Sequence, residues 1–215
     1  MTAVIPPISV SDQQHMVLHE VSWEFYEHLL DEIGDRPIRV TFDNGSLEVM
    51  APLPLHERWK KYIARMIELL CVELDIEIDT LGSTTIRRED FAKGLEPDEC
   101  YYVRHAEEIR GKKVLDLAVD PPPDLAVEVE ITRRSVPRHP VYAALGVPEL
   151  WTFDGRRLLV RQLGADRVYH AAKSSLAFPF LPMNRFEEFL LRMEDERQAT
   201  VLREFRRWVS TFSVR

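Results

Sequence analysis

Residues 121–132 read PPPDLAVEVEIT, and this segment limits the possible folds more than any other. Leu125, Val127, Val129 and Ile131 fall on one face of a strand, and Ala126, Glu128, Glu130 and Thr132 fall on the other. A strand this apolar belongs in the middle of a sheet. Yet it carries two glutamates on one face, roughly 6.6 Å apart by strand rise. Such a like-charge pair costs stability unless a cation or a basic group offsets it. The segment therefore predicts both a central strand and a polar site cut into one of its faces.

The flanking sequence supplies the rest of a layered fold. Residues 1–20 read as an extended arm, because Pro6 and Pro7 oppose helix. Ser22 is a candidate N-cap for a helix with Tyr26, Leu29, Leu30 and Ile33 on one stripe and Gly34 at its end. Ile38, Val40 and Phe42 alternate, Asn44-Gly45 supplies a tight turn, and Leu47 and Val49 alternate back, which predicts a hairpin. A second helix over about 56–73 carries the stripe Trp59, Tyr62, Ile63, Met66, Ile67 and Leu70. Strand-like alternation follows at Ile76 and Ile78, at Thr84–Arg87 and at Glu96–Val103, with a loop holding Gly94 in between. Residues 104–120 read as irregular with one helical turn. After the central strand come a short helix from about Pro140 to Leu145, a hairpin over 149–163 turning at Asp154-Gly155, and a strand over Arg167–Ala171. One or two amphipathic helices follow over about 185–208. No repeat or linker divides the chain, so residues 21–215 read as a single α/β domain of mixed α+β type.

Composition narrows the function classes. The chain has 215 residues, 28 Lys+Arg against 36 Asp+Glu, and a formal net charge of −8. That excludes a basic footprint spread over the whole surface. Any phosphate-binding site must be a local basic patch or be made positive by a bound cation. Cys71 and Cys100 lack metal-ligand spacing and read as buried thiols. No apolar run approaches the roughly 18 residues of a membrane span. The opening residues MTAVIPPISVSDQQH lack a basic region followed by a long apolar one, so the expectation is a cytoplasmic protein.

Chemistry is expected where carboxylates gather. Asp98 follows Pro97 at the start of one strand, and Glu128 lies on the next strongly hydrophobic strand. Carboxylates on adjacent strands suit a shared Mg²⁺, which takes oxygen ligands and keeps some of its waters. Such a site suits phosphodiester hydrolysis. Two carboxylates also serve glycosidases, but few aromatic platforms support that alternative.

The order NGSLEVMAPLPLHE, GLEPDECYYV, PPPDLAVEVEIT, VYAALGVPELW resembles the Uma-two family, a group assigned to restriction endonucleases within the PD-(D/E)xK nuclease superfamily. The resemblance implies a restriction-endonuclease-like core: a mixed sheet flanked by helices, with an N-terminal helix and hairpin and C-terminal helices. It implies Mg²⁺ (with Mn²⁺ as a substitute) and a DNA substrate. A homodimer is expected because cutting both strands of a duplex suits two-fold symmetry, and the apolar spacing of the C-terminal helices makes them the expected part of its interface. Pro97-Asp98 matches the first half of the motif and Glu128 its acidic position. Glu130 stands where the motif has lysine. Relatives place that lysine four residues before the tyrosine of the YAxxGVPE segment, which here is Tyr142, so the slot holds Arg138.

An arginine stays protonated and cannot act as general base. Asp98, Glu128, Glu130 and Arg138 are thus the expected catalytic residues, with Glu130 as ligand or proton acceptor. Asp98, Glu128 and Glu57, the last at the start of the second helix, are the expected metal ligands. Glu57 is equally well explained by an ion pair with Lys61. His56, Arg87, Arg88, Arg133, Arg134, Arg138 and His139 are candidate contacts to the DNA backbone. The missing lysine and the acidic charge keep a second reading open, a nuclease-fold protein with little or no catalysis that binds DNA or a partner.

Overall fold

The computed structural model describes residues 15–131 and 134–212. Its elements form two sheets separated by a helix. Ser22 caps α1 (Trp23–Ile33): its side chain accepts the Phe25 N–H, and Gly34 closes the helix with a backbone bond to the Leu30 carbonyl. The expected hairpin is β2 (Arg39–Asp43) and β3 (Ser46–Met50), with Asn44 and Gly45 both at positive φ. β1 (His15–Leu18) pairs with β3, and residues 1–14 of the expected arm lie outside the described residues.

On the other side of β2 comes β6 (Lys93–Leu95), then β5 (Ile86–Arg88). The first sheet is therefore antiparallel in the order β1-β3-β2-β6-β5. The loop expected around Gly94 is instead strand β6. Gly94 belongs there because the Tyr26 ring of α1 lies directly against its Cα.

The second sheet has the order β11-β10-β9-β8-β7-β4. Its centre is β8 (Leu125–Val129), antiparallel to β7 (Glu99–Tyr102) and parallel to β9 (Glu149–Phe153). β10 (Leu158–Leu163) and β11 (Tyr169–Ala172) extend one edge, and β4 (Asp79–Thr80) the other. Ile76 and Ile78 precede β4 and take no strand pairing; they pack on the core as partly buried side chains. A parallel pair needs a crossover, and α4 (Arg138–Leu145) provides it.

The alternation in 125–129 sorts the two faces. Leu125, Val127 and Val129, with Trp151 and Phe153, meet α2 (Pro54–Glu73), α5 (Met183–Asp195) and α6 (Gln198–Val209) in the largest core cluster. Trp59 and Tyr62 belong to that core, as does Trp151. On the other face, Ala126 and Leu150 pack with Val141, Tyr142 and Leu145 of α4, which in turn touch Ile86 and Leu95 of the first sheet. α1 closes the far side of the first sheet through Tyr26, Phe42 and Leu47.

The apolar stripes of α5 and α6, including Phe186, Phe189, Val201, Phe205 and Val209, are buried inside the chain. This corrects the expectation that these stripes form a dimer interface, because α2 and the second sheet already cover them. A short helix, α3 (Ala106–Ile109), is the helical turn expected in 104–120. Cys71 and Cys100 are free and buried. No helix among the described residues is long and apolar enough to cross a membrane.

A methyl group on Gly94 would overlap the Tyr26 hydroxyl and stand 2.8 Å from Cζ of that fully buried ring. Gly94→Ala should therefore destabilise the protein by about 1–3 kcal/mol, the usual cost of overpacking a rigid core. Thermal or urea unfolding checks this, and an unchanged midpoint would contradict the close approach of α1 to β6.

Candidate active site

The register of β7 on β8 sets the site. Glu99 pairs with Val127 and Cys100 with Ala126, so one step further Asp98 falls opposite Glu128. Both carboxylates are fully buried. Directly opposed like charges destabilise a sheet, so the surroundings must compensate them.

Each carboxylate is anchored through one oxygen. Asp98 Oδ2 accepts the Val129 N–H at 2.7 Å and stands 3.0 Å from His56 Nε2. The imidazole is close enough for an ion pair but is not aligned for a hydrogen bond. Glu128 Oε1 accepts the Tyr142 hydroxyl and lies 3.0 Å from Arg138 Nη2. The remaining oxygens face one group. Arg134 Nη2 is 3.5 Å from Glu128 Oε2 and 3.9 Å from Asp98 Oδ1. Asp98 Oδ1 has no hydrogen-bond partner among the described residues.

Electrostatics separates the two acids. Burial alone would raise the pKa of Asp98, but His56, Arg134 and Arg138 outweigh it and hold the carboxyl well below its usual range. Burial dominates at Glu128; Arg138 opposes it, while nearby Asp98 adds to it, so the pKa is raised. Burial also works against protonated His56, but the Asp98 and Glu57 carboxylates win and lift its pKa from 6.5 to about 9. Arg138 is buried too, and Glu128 beside it more than offsets the cost of the buried cation.

A second tier of polar groups backs the pair. His56 Nδ1 is 3.6 Å from Glu57 Oε1, and Lys60 Nζ is 3.5 Å from Glu57 Oε2. Lys60 donates to Ser83 Oγ at 3.1 Å and lies 4.0 Å from Glu99. Arg39 donates to the same Ser83 hydroxyl and to Glu96 Oε2, while Arg138 donates to the Glu96 main-chain carbonyl.

The structure thus gathers Asp98, Glu128, Arg134, Arg138 and His56. Glu57 stands beyond His56, and its ion pair is with Lys60, not with Lys61, which instead faces Glu99. Glu130 continues the same strand face but stands apart from the pair, partly exposed and 3.2 Å from His139 Nε2. Burial would raise the Glu130 pKa, but His139 outweighs it and the carboxyl is held low. Glu130, Arg134, Arg138 and His139 line one cavity of about 560 Å³.

Arg87 and Arg88 are not brought there. Arg87 pairs with Glu27 and Arg88 with Asp90, and both line a separate groove with Lys112 and Lys113. Arg133 lies outside the described residues. Sequence reasoning missed Lys60, Arg39 and the role of Tyr142 as an anchor. A lysine on the apolar side of α2 was a signal for the first, but its partners come from distant segments.

Two ionisable carboxylates, each with one oxygen turned toward the same point, fit a hard divalent cation that keeps part of its hydration, such as Mg²⁺. Among the described residues no group of three or more His, Cys, Asp or Glu side chains is arranged to hold a metal ion, so the fit is to a partly hydrated ion and not to a closed protein cage.

A mixed sheet with helices on both faces and paired acids on adjacent central strands is the layout of a restriction-endonuclease-like protein. A family model named Uma2 and described as "Putative restriction endonuclease" matches residues 23–193, and the chain belongs to that family. No curated protein matches the chain.

With its folded pKa near 9 and a reference of 6.5, His56 contributes stability that is complete below about pH 6.5 and is lost as pH rises through 9. In metal-free protein, imidazole resonances of His56 should titrate near pH 9 by NMR, and His56→Gln should flatten the fall of the melting temperature between pH 7 and 9.5. A His56 midpoint at or below 6.5 would contradict the ion pair with Asp98.

Proposed function

We propose that the protein is a Mg²⁺-dependent DNA endonuclease that hydrolyses phosphodiester bonds, with Mn²⁺ as a substitute ion. The observation that carries this reading is the convergence of Asp98 Oδ1 and Glu128 Oε2 on one point, in a chain of a restriction-endonuclease family. Asp98 and Glu128 would hold the ion, which polarises the phosphate and makes attack by water easier. Glu57 lies one residue further out and acts through His56, as a positioning residue.

The chain's own groups divide the remaining work. Arg138 is committed to Glu128, Tyr142 and the Glu96 carbonyl. It opposes the burial that raises the Glu128 pKa and keeps that carboxyl aimed, while its Nε and Nη1, without a partner among the described residues, are available to orient water or the phosphate. It cannot take a proton. Glu130, ionised and lining the cavity beside His139, is the group placed to accept one. Arg134 and His139 line the same cavity as contacts for the DNA backbone. A homodimer suits the two-fold symmetry of duplex DNA, with an interface elsewhere than the buried stripes of α5 and α6.

One observation favours the alternative of a weak or inactive nuclease fold that binds DNA or a partner. The buried acids are already matched by the chain's own cations, and the lysine slot holds Arg138.

A plasmid-nicking assay in Mg²⁺ and in Mn²⁺ decides between them. The variants are Asp98→Asn and Glu128→Gln, near-isosteric because both acids also hold the backbone and neighbouring side chains. Nicking should drop by on the order of 100-fold or more in each, with unfolding transitions checked by circular dichroism. Arg138→Lys should raise the rate. Nicking that survives in both acid variants would place the chemistry elsewhere, and no nicking by any folded protein would leave the non-catalytic reading.

A further inference from the structure

We propose that Arg134 is a resident counter-ion that holds the place of the divalent cation and must withdraw before the site can be loaded. This rests on reading Asp98 and Glu128 as the cation-binding pair. Three observations carry it.

First, the position is defined by the acids themselves. Val129 N–H and His56 fix Asp98 Oδ2, while Tyr142 and Arg138 fix Glu128 Oε1. Only Asp98 Oδ1 and Glu128 Oε2 are left to bind a further cation, and Arg134 Nη2 is the cationic atom facing both. Second, the hold is loose. The approaches of 3.9 and 3.5 Å are long for guanidinium–carboxylate contacts, which normally close to about 2.7–2.9 Å. Among the described residues the other terminal nitrogen, Nη1, reaches the Met50 sulfur at 3.8 Å. A fully buried Asp98 oxygen therefore stays without a hydrogen bond among the described residues.

Third, Arg134 has somewhere to go. Its side chain is about 10% exposed, and it lines the 560 Å³ cavity together with Glu130 and His139. Arg138 lines the same cavity, but it is tied to Glu128, to Tyr142 and to the Glu96 carbonyl. Arg134 is thus the removable cation and Arg138 the fixed one.

The exchange follows from charge. Two buried, opposed carboxylates need positive charge beside them, and a guanidinium supplies one unit in the metal-free protein. A divalent ion entering at the same point would meet that unit at close range and be repelled by it. Arg134 therefore leaves as the ion enters. Its guanidinium then lies free in the cavity to take a phosphate of the incoming DNA. Loading with metal and gripping the substrate become linked, because the same side chain cannot serve the acids and the phosphate together.

The test reads metal binding directly, independent of cleavage. Free Mn²⁺ is followed by electron paramagnetic resonance during titration of wild type, Arg134→Gln, Arg134→Lys, Asp98→Asn and the Arg134→Gln/Asp98→Asn double variant. Melting is followed in EDTA and in excess Mg²⁺. Arg134→Gln should bind Mn²⁺ about tenfold more tightly or better, and Arg134→Lys should stay near wild type. Both proteins carrying Asp98→Asn should lose the site. In EDTA Arg134→Gln should melt below wild type, and Mg²⁺ should raise its melting temperature more than that of wild type.

Equal or weaker Mn²⁺ binding by Arg134→Gln, with wild-type binding still lost in Asp98→Asn, overturns the counter-ion role and leaves the cation site standing. Mn²⁺ binding by none of the folded proteins overturns both.

Discussion

Two carboxylates set directly opposite each other in the interior are the constraint around which this protein is built. Once β7 and β8 pair in the register that joins Glu99 to Val127, Asp98 and Glu128 meet. Like charges in that position are unfavourable unless positive groups surround them. His56 from α2, Arg138 from α4 and Arg134 from the segment before α4 provide that charge. Three separate parts of the chain therefore converge on one strand pair. The split in proton affinity follows from the same geometry. Asp98, hydrogen-bonded and close to a protonated imidazole, is held ionised, and Glu128 bears the larger cost of burial.

The layers make that convergence possible. α4 is both the crossover joining parallel β8 and β9 and the spacer between the two sheets. Arg138 in its first turn and Tyr142 one turn further on reach Glu128, while Val141, Tyr142 and Leu145 pack with Ile86 and Leu95 of the first sheet. The first sheet, in turn, brings Arg39 to Ser83 and Glu96. The hairpin and its partner strands thus do more than cover the core. They complete a network of acids and bases around a fully buried carboxylate pair, with Glu130 and His139 lining a cavity beside it.

Much of this was legible in local sequence. The alternation in 125–131 marks the central strand and places Glu128 on the face away from the core. Asn44-Gly45 marks the hairpin, Ser22 and Gly34 bound α1, and the stripe from Trp59 to Leu70 marks α2. Other features were not legible. A three-residue strand containing Gly94 has no periodicity to detect, and it exists because Tyr26 packs against it and β2 and β5 pair with it. Ile76 and Ile78 alternate like a strand but find no partner there. The amphipathic stripes of α5 and α6 look the same whether they face a partner chain or their own core, and here the core covers them.

The amino-acid order by itself determined which residues carry charge on apolar elements: Asp98 after a proline, Glu128 and Glu130 inside a hydrophobic strand, and an arginine instead of lysine at 138. Those are properties of side-chain type and strand period, which local chemistry dictates. Which cation faces which acid was decided only by tertiary structure. Lys60, not Lys61, pairs with Glu57, Arg138 is spent on Glu128, and Arg134 stands between the two acids while Arg87 and Arg88 face another groove. Such pairings depend on how separate elements pack and on the exact turn of a helix, and no period in the sequence encodes the distances that decide them.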